Sequence, residues 1–290
     1  MNRWVAGARP RTLPAAVVPV LVGTAAATGA DGGTVVWWRA VAALVVAVAI
    51  QVGTNYVNDY ADAERGADTA ERLGPTRLVA SGLATAGELK RAALAAAVTA
   101  AVAGLALAVA VGPELVVVGA VSLAAGFFYT AGPRPYGYAG LGEVFVFVFF
   151  GVVATVGSAY VHLERIDLLA LAASVPVGLL ATALLVVNNL RDIPTDTASG
   201  KRTLAVRLGA PPTRALYVAL LAGAFVALPV LALSRPGALL AALSAPLALR
   251  PLRVVASEAV GVRLLPALAQ TGRLQLGYGV LLALGLAVSA

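Results

Sequence analysis

The chain has 290 residues, 60% of them hydrophobic and only 12% charged. Soluble domains carry about a quarter charged residues, so the composition excludes an ordinary water-soluble domain and indicates an integral membrane protein. The chain has no cysteine, which excludes disulfides and thiol chemistry, and its net charge of +7 has a placement that argues against nucleic acid as the partner.

Hydrophobic runs near the bilayer-spanning length of about 20 residues recur nine times: Leu13–Ala30, Trp37–Val57, Leu89–Val111, Leu115–Ala131, Val144–Val161, Leu168–Leu190, Leu216–Leu233, Ala238–Leu249 and Leu274–Ala290. Arg250 and Arg253 cut the eighth short. The runs are Ala, Leu, Val and Gly without an alternating polar face, so they predict helices and not a β-barrel. Abundant Ala and Gly suit close helix–helix packing. The first run follows a basic start and ends in small residues, as a signal peptide does; with eight spans after it, it is expected to remain as the first helix. The expectation is an all-α membrane protein, one domain over residues 1–290, with about nine transmembrane helices.

With the N-terminus in the cytoplasm, 18 of the 21 basic residues fall on inside segments, and only Arg39, Arg165 and Arg235 fall outside. The positive-inside rule then predicts a multi-pass protein of the cell membrane with both loops of interest cytoplasmic.

Those loops hold half of the 14 acidic residues. "NDYADAERGADTAERLGPTR", Asn58 to Arg77, has five carboxylates: Asp59, Asp62, Glu64, Asp68 and Glu71. "NNLRDIPTDTASGKRTLAVRLG", Asn188 to Gly209, has Asp192 and Asp196. Asn58-x-x-x-Asp62 matches Asn188-x-x-x-Asp192, each at the end of an apolar helix, which reads as a weak parallel repeat with the active groups at equivalent places. Residues i and i+4 share a helix face, so each pair forms a row, and Asp196 extends the second, although Pro194 makes strict helix there doubtful. Two such rows make a cup of oxygen ligands suited to Mg²⁺, which takes one or two carboxylates plus substrate phosphates. One His and no Cys argue against zinc. Arg72, Arg77, Lys201 and Arg202 lie close by in sequence, and guanidinium and ammonium groups suit phosphate. A solvated charged face is the ordinary reading of one such loop, but two matched motifs make it a poor account of this pair.

The two motifs resemble the aspartate-rich motifs of the UbiA superfamily of membrane prenyltransferases, and the chain is most similar to the branch that acts on 1,4-dihydroxy-2-naphthoate. "ARPRTLP" (Ala8–Pro14), "GPTRLVASG" (Gly74–Gly82) and "YGYAGLGEVFVFVFFG" (Tyr136–Gly151) carry the resemblance with the two motif segments. The family pattern Asn-Asp-x-x-Asp-x-x-x-Asp meets Gly66 at its last position, with an aspartate two residues later at Asp68, a shift that the naphthoate branch shares. The resemblance implies nine helices and Mg²⁺ held at Asn58, Asp62, Asp68, Asn188, Asp192 and Asp196 through the diphosphate of a polyprenyl donor. It implies prenylation of the naphthoate with decarboxylation to give demethylmenaquinone, the bilayer as surroundings, and no role for nucleic acid. An allylic diphosphate ionises when its leaving group is stabilised, and no covalent nucleophile is needed.

Aromatic faces can stabilise a cation, and Tyr56, Tyr60, Tyr129, Tyr136 and Tyr138 are candidates beside the interfacial role common to membrane tyrosines. Phe145, Phe147, Phe149 and Phe150 are expected to line a prenyl tunnel or pack generically. Glu143, at a helix start, suits the N-terminal dipole or the acceptor hydroxyls. His162 reads as a surface residue on the outer side. Alternatives are a transporter, whose ionisable groups should lie near the midplane, a CDP-alcohol phosphotransferase, which has a single long acidic motif, and prenylation of 4-hydroxybenzoate or haem.

Overall fold

The computed structural model describes residues 2–30, 35–66 and 77–290. Asp68, Glu71 and Arg72 of the sequence expectation lie outside the described residues. Among the described residues thirteen α-helices follow one another: α1 Arg3–Ala8, α2 Pro14–Ala27, α3 Trp37–Glu64, α4 Ala86–Ala110, α5 Glu114–Phe128, α6 Gly142–Val146, α7 Ala154–Leu163, α8 Leu168–Ala198, α9 Leu204–Leu208, α10 Ala210–Val226, α11 Leu228–Ala232, α12 Ala245–Ala256 and α13 Leu265–Val288. There is no strand among the described residues, as a chain inside lipid requires of any structure other than a closed barrel.

Each of the nine apolar runs is helical, but the count of spans differs. Among the described residues seven helices are long and apolar enough to cross a bilayer, or eight with the bent pair Arg3–Thr12 and Pro14–Ala27 taken as one span. The 54° bend falls at Leu13, between Thr12 and Pro14, where Pro14 lacks the N–H that would continue the ladder; within the first member, Arg9 adopts left-handed φ between α1 and the 3₁₀ turn Pro10–Thr12. The run expected at Leu115–Ala131 is α5, with 15 residues and so roughly 22 Å long, short of the ~30 Å hydrocarbon core. The run expected to stop at Leu249 extends to Ala256 through Arg250 and Arg253.

α8 is the axis of the bundle: 72% of its most apolar stretch is buried, against 22–50% in the other spans. Asp167 caps its start by accepting from the Ala170 N–H at 2.9 Å. It runs unbroken through Pro176 and Pro194, contrary to the doubt raised by Pro194. Asn188, Asp192 and Asp196 therefore form one helical row. Small residues let neighbours approach closely. A Cβ on Gly151 would sit 2.6 Å from the Gly178 Cα of α8, so glycine at both positions brings the Phe147–Val153 segment against the axis. That segment is a π-helix joining α6 to α7. Such insertions shift the register of the residues around them. α2 packs ten buried residues into the bundle, mostly against α13, α7 and α8. Outer faces are apolar and exposed, including Val102, Leu105 and Val109 of α4, as suits contact with lipid.

Candidate active site

α3 carries a polar stripe. Gln51, Asn55, Asn58 and Asp62 recur at spacings of four, three and four, so they share one face. All four are buried and line one cavity of about 570 Å³. Each has a hydrogen-bond partner. Gln51 Nε2 donates to Thr12 Oγ1 at 3.1 Å, and Asn55 Nδ2 donates to the Ala8 carbonyl at 2.9 Å. The Thr130 hydroxyl donates to Asn58 Oδ1 at 2.6 Å.

Asp62, 1% exposed, is the most heavily engaged. Its Oδ2 accepts from Arg77 Nη2 at 3.0 Å and lies 3.8 Å from Lys201 Nζ. Its Oδ1 accepts from the Tyr138 hydroxyl at 2.8 Å. Burial, and then the Asp62 carboxylate, push the Tyr138 phenol well above its ordinary range, so Tyr138 stays a donor at physiological pH. Lys201 comes back to this point because α8 ends in a turn: Gly200 adopts left-handed φ of 75°, and the Lys201 N–H bonds the Asp196 carbonyl at 2.8 Å, a glycine-closed helix end.

The second row also lines the cavity. Arg191, 2% exposed, donates from Nε and Nη2 to both oxygens of Asp192 at 2.7 and 2.6 Å, and from Nη2 to Asn188 Oδ1 at 2.9 Å. Asn189 Nδ2 donates to Glu143 Oε1 at 3.0 Å, which ties the buried Glu143 to this motif. The remaining walls are apolar, with Phe145, Phe149 and Phe150 among them. Tyr136 stacks on Phe145 at 3.9 Å between centroids, and Tyr129 meets Tyr136 edge-on at 5.4 Å.

The structure thus brings Asn58, Asp62, Arg77, Tyr129, Tyr136, Asn188, Asp192, Asp196 and Lys201 to the lining of one cavity. Tyr138 and Glu143 stand behind them, each bonded to a lining residue. Arg202 is exposed and absent from the lining; its backbone bonds Tyr138 and its carbonyl accepts from Arg207. Tyr56 donates to the Trp4 carbonyl and Tyr60 lies under Lys90, so both belong to the cluster between α1, α3 and α4. Phe147 packs against Gly178 instead of the cavity. His162 is half-buried and its Nδ1 accepts from the Val36 N–H at 3.3 Å, so it serves the fold on the far side. Arg191, Gln51 and Asn55 were not anticipated, although the four-three-four spacing of the polar residues in α3 was legible.

The donor set is amide and carboxylate oxygen, which fits Mg²⁺ and not zinc. Among the described residues no three carboxylates or imidazoles gather at one point. A Mg²⁺ site commonly takes one or two carboxylates and is completed by substrate phosphates. Among the described residues the lining holds five basic side chains (Arg9, Arg11, Arg77, Arg191, Lys201) and three acidic ones (Asp62, Asp192, Asp196). A site for a bare cation would carry the opposite surplus.

Fold and site together define a membrane-embedded helical bundle around a largely apolar cavity that also carries basic and acidic side chains. The UbiA prenyltransferase family model matches residues 16–259, and the chain belongs to that family. It is 49% identical over 285 residues to 1,4-dihydroxy-2-naphthoate octaprenyltransferase of Mycobacterium tuberculosis, covering 98% of this chain and 97% of the relative. The Escherichia coli protein of the same name is 37% identical over 302 residues, covering 99% and 95%. A solved UbiA homologue from Archaeoglobus fulgidus bound to DMAPP and Mg²⁺ shares the fold, with a TM-score of 0.69 at 14% identity over 97% of this chain and 99% of that one.

Proposed function

We propose that the protein transfers a polyprenyl group from polyprenyl diphosphate to 1,4-dihydroxy-2-naphthoate, with loss of carbon dioxide, to give demethylmenaquinone in its hydroquinone form. The observation that carries this reading is the joining of both Asp motifs on one basic, apolar-backed cavity. The names of the two relatives supply the acceptor.

Asn58, Asp62, Asn188, Asp192 and Asp196 would hold Mg²⁺ together with the diphosphate. When bound, Mg²⁺ offsets the negative charge that grows on the departing diphosphate. Asp68 would join this set, and Arg72 and Arg202 would add positive charge from the loops. Arg77 and Lys201 stand beside Asp62 and donate to diphosphate oxygens as the allylic C–O bond breaks and its electron pair leaves with the head group. An electron-rich ring carbon of the acceptor then forms the new C–C bond, and carbon dioxide leaves the ring. The apolar walls exclude the water that would capture the allylic cation. Tyr129 and Tyr136 present aromatic faces to it, and Glu143 steadies Asn189 near the acceptor. The active face lies on the cytoplasmic side of the cell membrane, as the basic loops indicate.

The test is purified protein with radiolabelled polyprenyl diphosphate and a panel of aromatic acids. Product with dihydroxynaphthoate alone supports the reading; product with 4-hydroxybenzoate, or none with any acid, refutes the acceptor assignment.

A further inference from the structure

Asp59 is the one motif aspartate of α3 that does not look into the cavity. It is 0% exposed, while its neighbours Asn58 and Asp62 line the wall. A buried carboxylate costs free energy unless its oxygens are satisfied. Here both are: Oδ2 accepts from the Leu78 N–H at 2.8 Å and Oδ1 from the Val79 N–H at 3.1 Å. The segment so held is an irregular turn, and Arg77 is its first described residue. Leu78 is fully buried in the cluster of Tyr56, Val57 and Tyr60, and α1 closes over it at Gly7, where a Cβ would lie 2.7 Å from Leu78 Cδ1. Arg77 is thus the residue between an anchored peptide and Asp62, which its guanidinium reaches at 3.0 Å.

We infer that Asp59 is a positioning residue: its carboxylate grips the backbone of Leu78 and Val79 and thereby aims Arg77 at the diphosphate, without itself touching metal or substrate. The inference rests on the reading above that the site takes a prenyl diphosphate. The chemistry explains why an acid is needed. Two convergent N–H donors call for two acceptor oxygens, whereas an amide offers one oxygen and sets an NH₂ against the other donor. A carboxylate also makes the stronger, charge-assisted bonds.

The experiment uses the full-length protein in lipid nanodiscs, with Asp59→Asn, Asp59→Ala, Arg77→Ala and the Asp59→Ala/Arg77→Ala double variant. Loss of a supporting partner typically costs about 10- to 100-fold, so Asp59→Ala should raise KM for the prenyl diphosphate by that factor, with KM for the aromatic acid unchanged. Asp59→Asn keeps one acceptor and should fall between Asp59→Ala and wild type. Because Asp59 acts through Arg77, adding Asp59→Ala to Arg77→Ala should change KM by less than about twofold, the scatter of independent sites. Amide exchange at Leu78 and Val79 should quicken in both Asp59 variants. Full additivity with Arg77→Ala, a raised Mg²⁺ requirement in place of a raised donor KM, or unchanged exchange at Leu78 and Val79 would each overturn the inference. If the wild type turns over no prenyl diphosphate, the proposed function fails by itself, while amide exchange in Asp59→Asn still decides the clamp.

Discussion

Asp62→Asn tests the site most directly, because the change keeps shape and removes charge. In the variant, the amide oxygen can still accept from Tyr138, now bonded at 2.8 Å. The other position becomes an NH₂ facing Arg77 at 3.0 Å and Lys201 at 3.8 Å. The folded protein loses one charge-assisted bond, worth about 1.5–3 kcal/mol. Arg77 and Lys201 both line the cavity, where water can rehydrate them, so the loss should sit at the lower end, about 1.5 kcal/mol. The catalytic loss is larger, since a preorganised electrostatic group contributes roughly 10²–10³ to kcat. The expected outcome is at least that fall in turnover of radiolabelled prenyl diphosphate, with a well-folded protein that melts only a few degrees lower by intrinsic fluorescence. A kcat within tenfold of wild type would refute the metal-and-diphosphate assignment, and so would an activity loss matched by loss of folded protein.

Asp192→Asn should behave alike in the same assay, because Arg191 would lose its two-pronged partner along with the proposed metal ligand. Thorough chelation should abolish turnover, and added Mg²⁺ should restore it; product formation in excess chelator would point to other chemistry. Gly151→Val would push a side chain into Gly178, where even a Cβ lies 2.6 Å from Cα; overpacking of this kind costs about 1–3 kcal/mol, read as a lower melting temperature and a reduced yield of folded protein in detergent.

The positions of all nine apolar runs were legible because lipid burial is written in local composition. Their number as spans was not, since α5 stops after 15 residues and the first span is bent at Leu13. The row Asn188, Asp192, Asp196 was legible from spacing, and only its continuity past Pro194 needed the structure. α8 carries that proline within a helix embraced by the bundle on most sides, and packing outweighs one missing hydrogen bond. Phe147 and Phe149 look equivalent in sequence, yet the π-helical segment sends one toward α8 and leaves the other in the cavity wall. Basic residues in one loop look equivalent too, but Lys201 turns in after Gly200 while Arg202 stays exposed.

The sequence by itself determined that this is a membrane-embedded helical protein with two acidic rows at helix ends, because hydropathy and i, i+4 spacing are short-range properties. Only the tertiary structure decided which residues meet. Asp62 finds Arg77, Tyr138 and Lys201 across 15, 76 and 139 residues of chain, and Asp59 becomes a backbone clamp although it sits within the same motif. The physical reason is that adjacent helical residues point about 100° apart, so what each one faces is set by the packing around its helix and not by the motif that contains it.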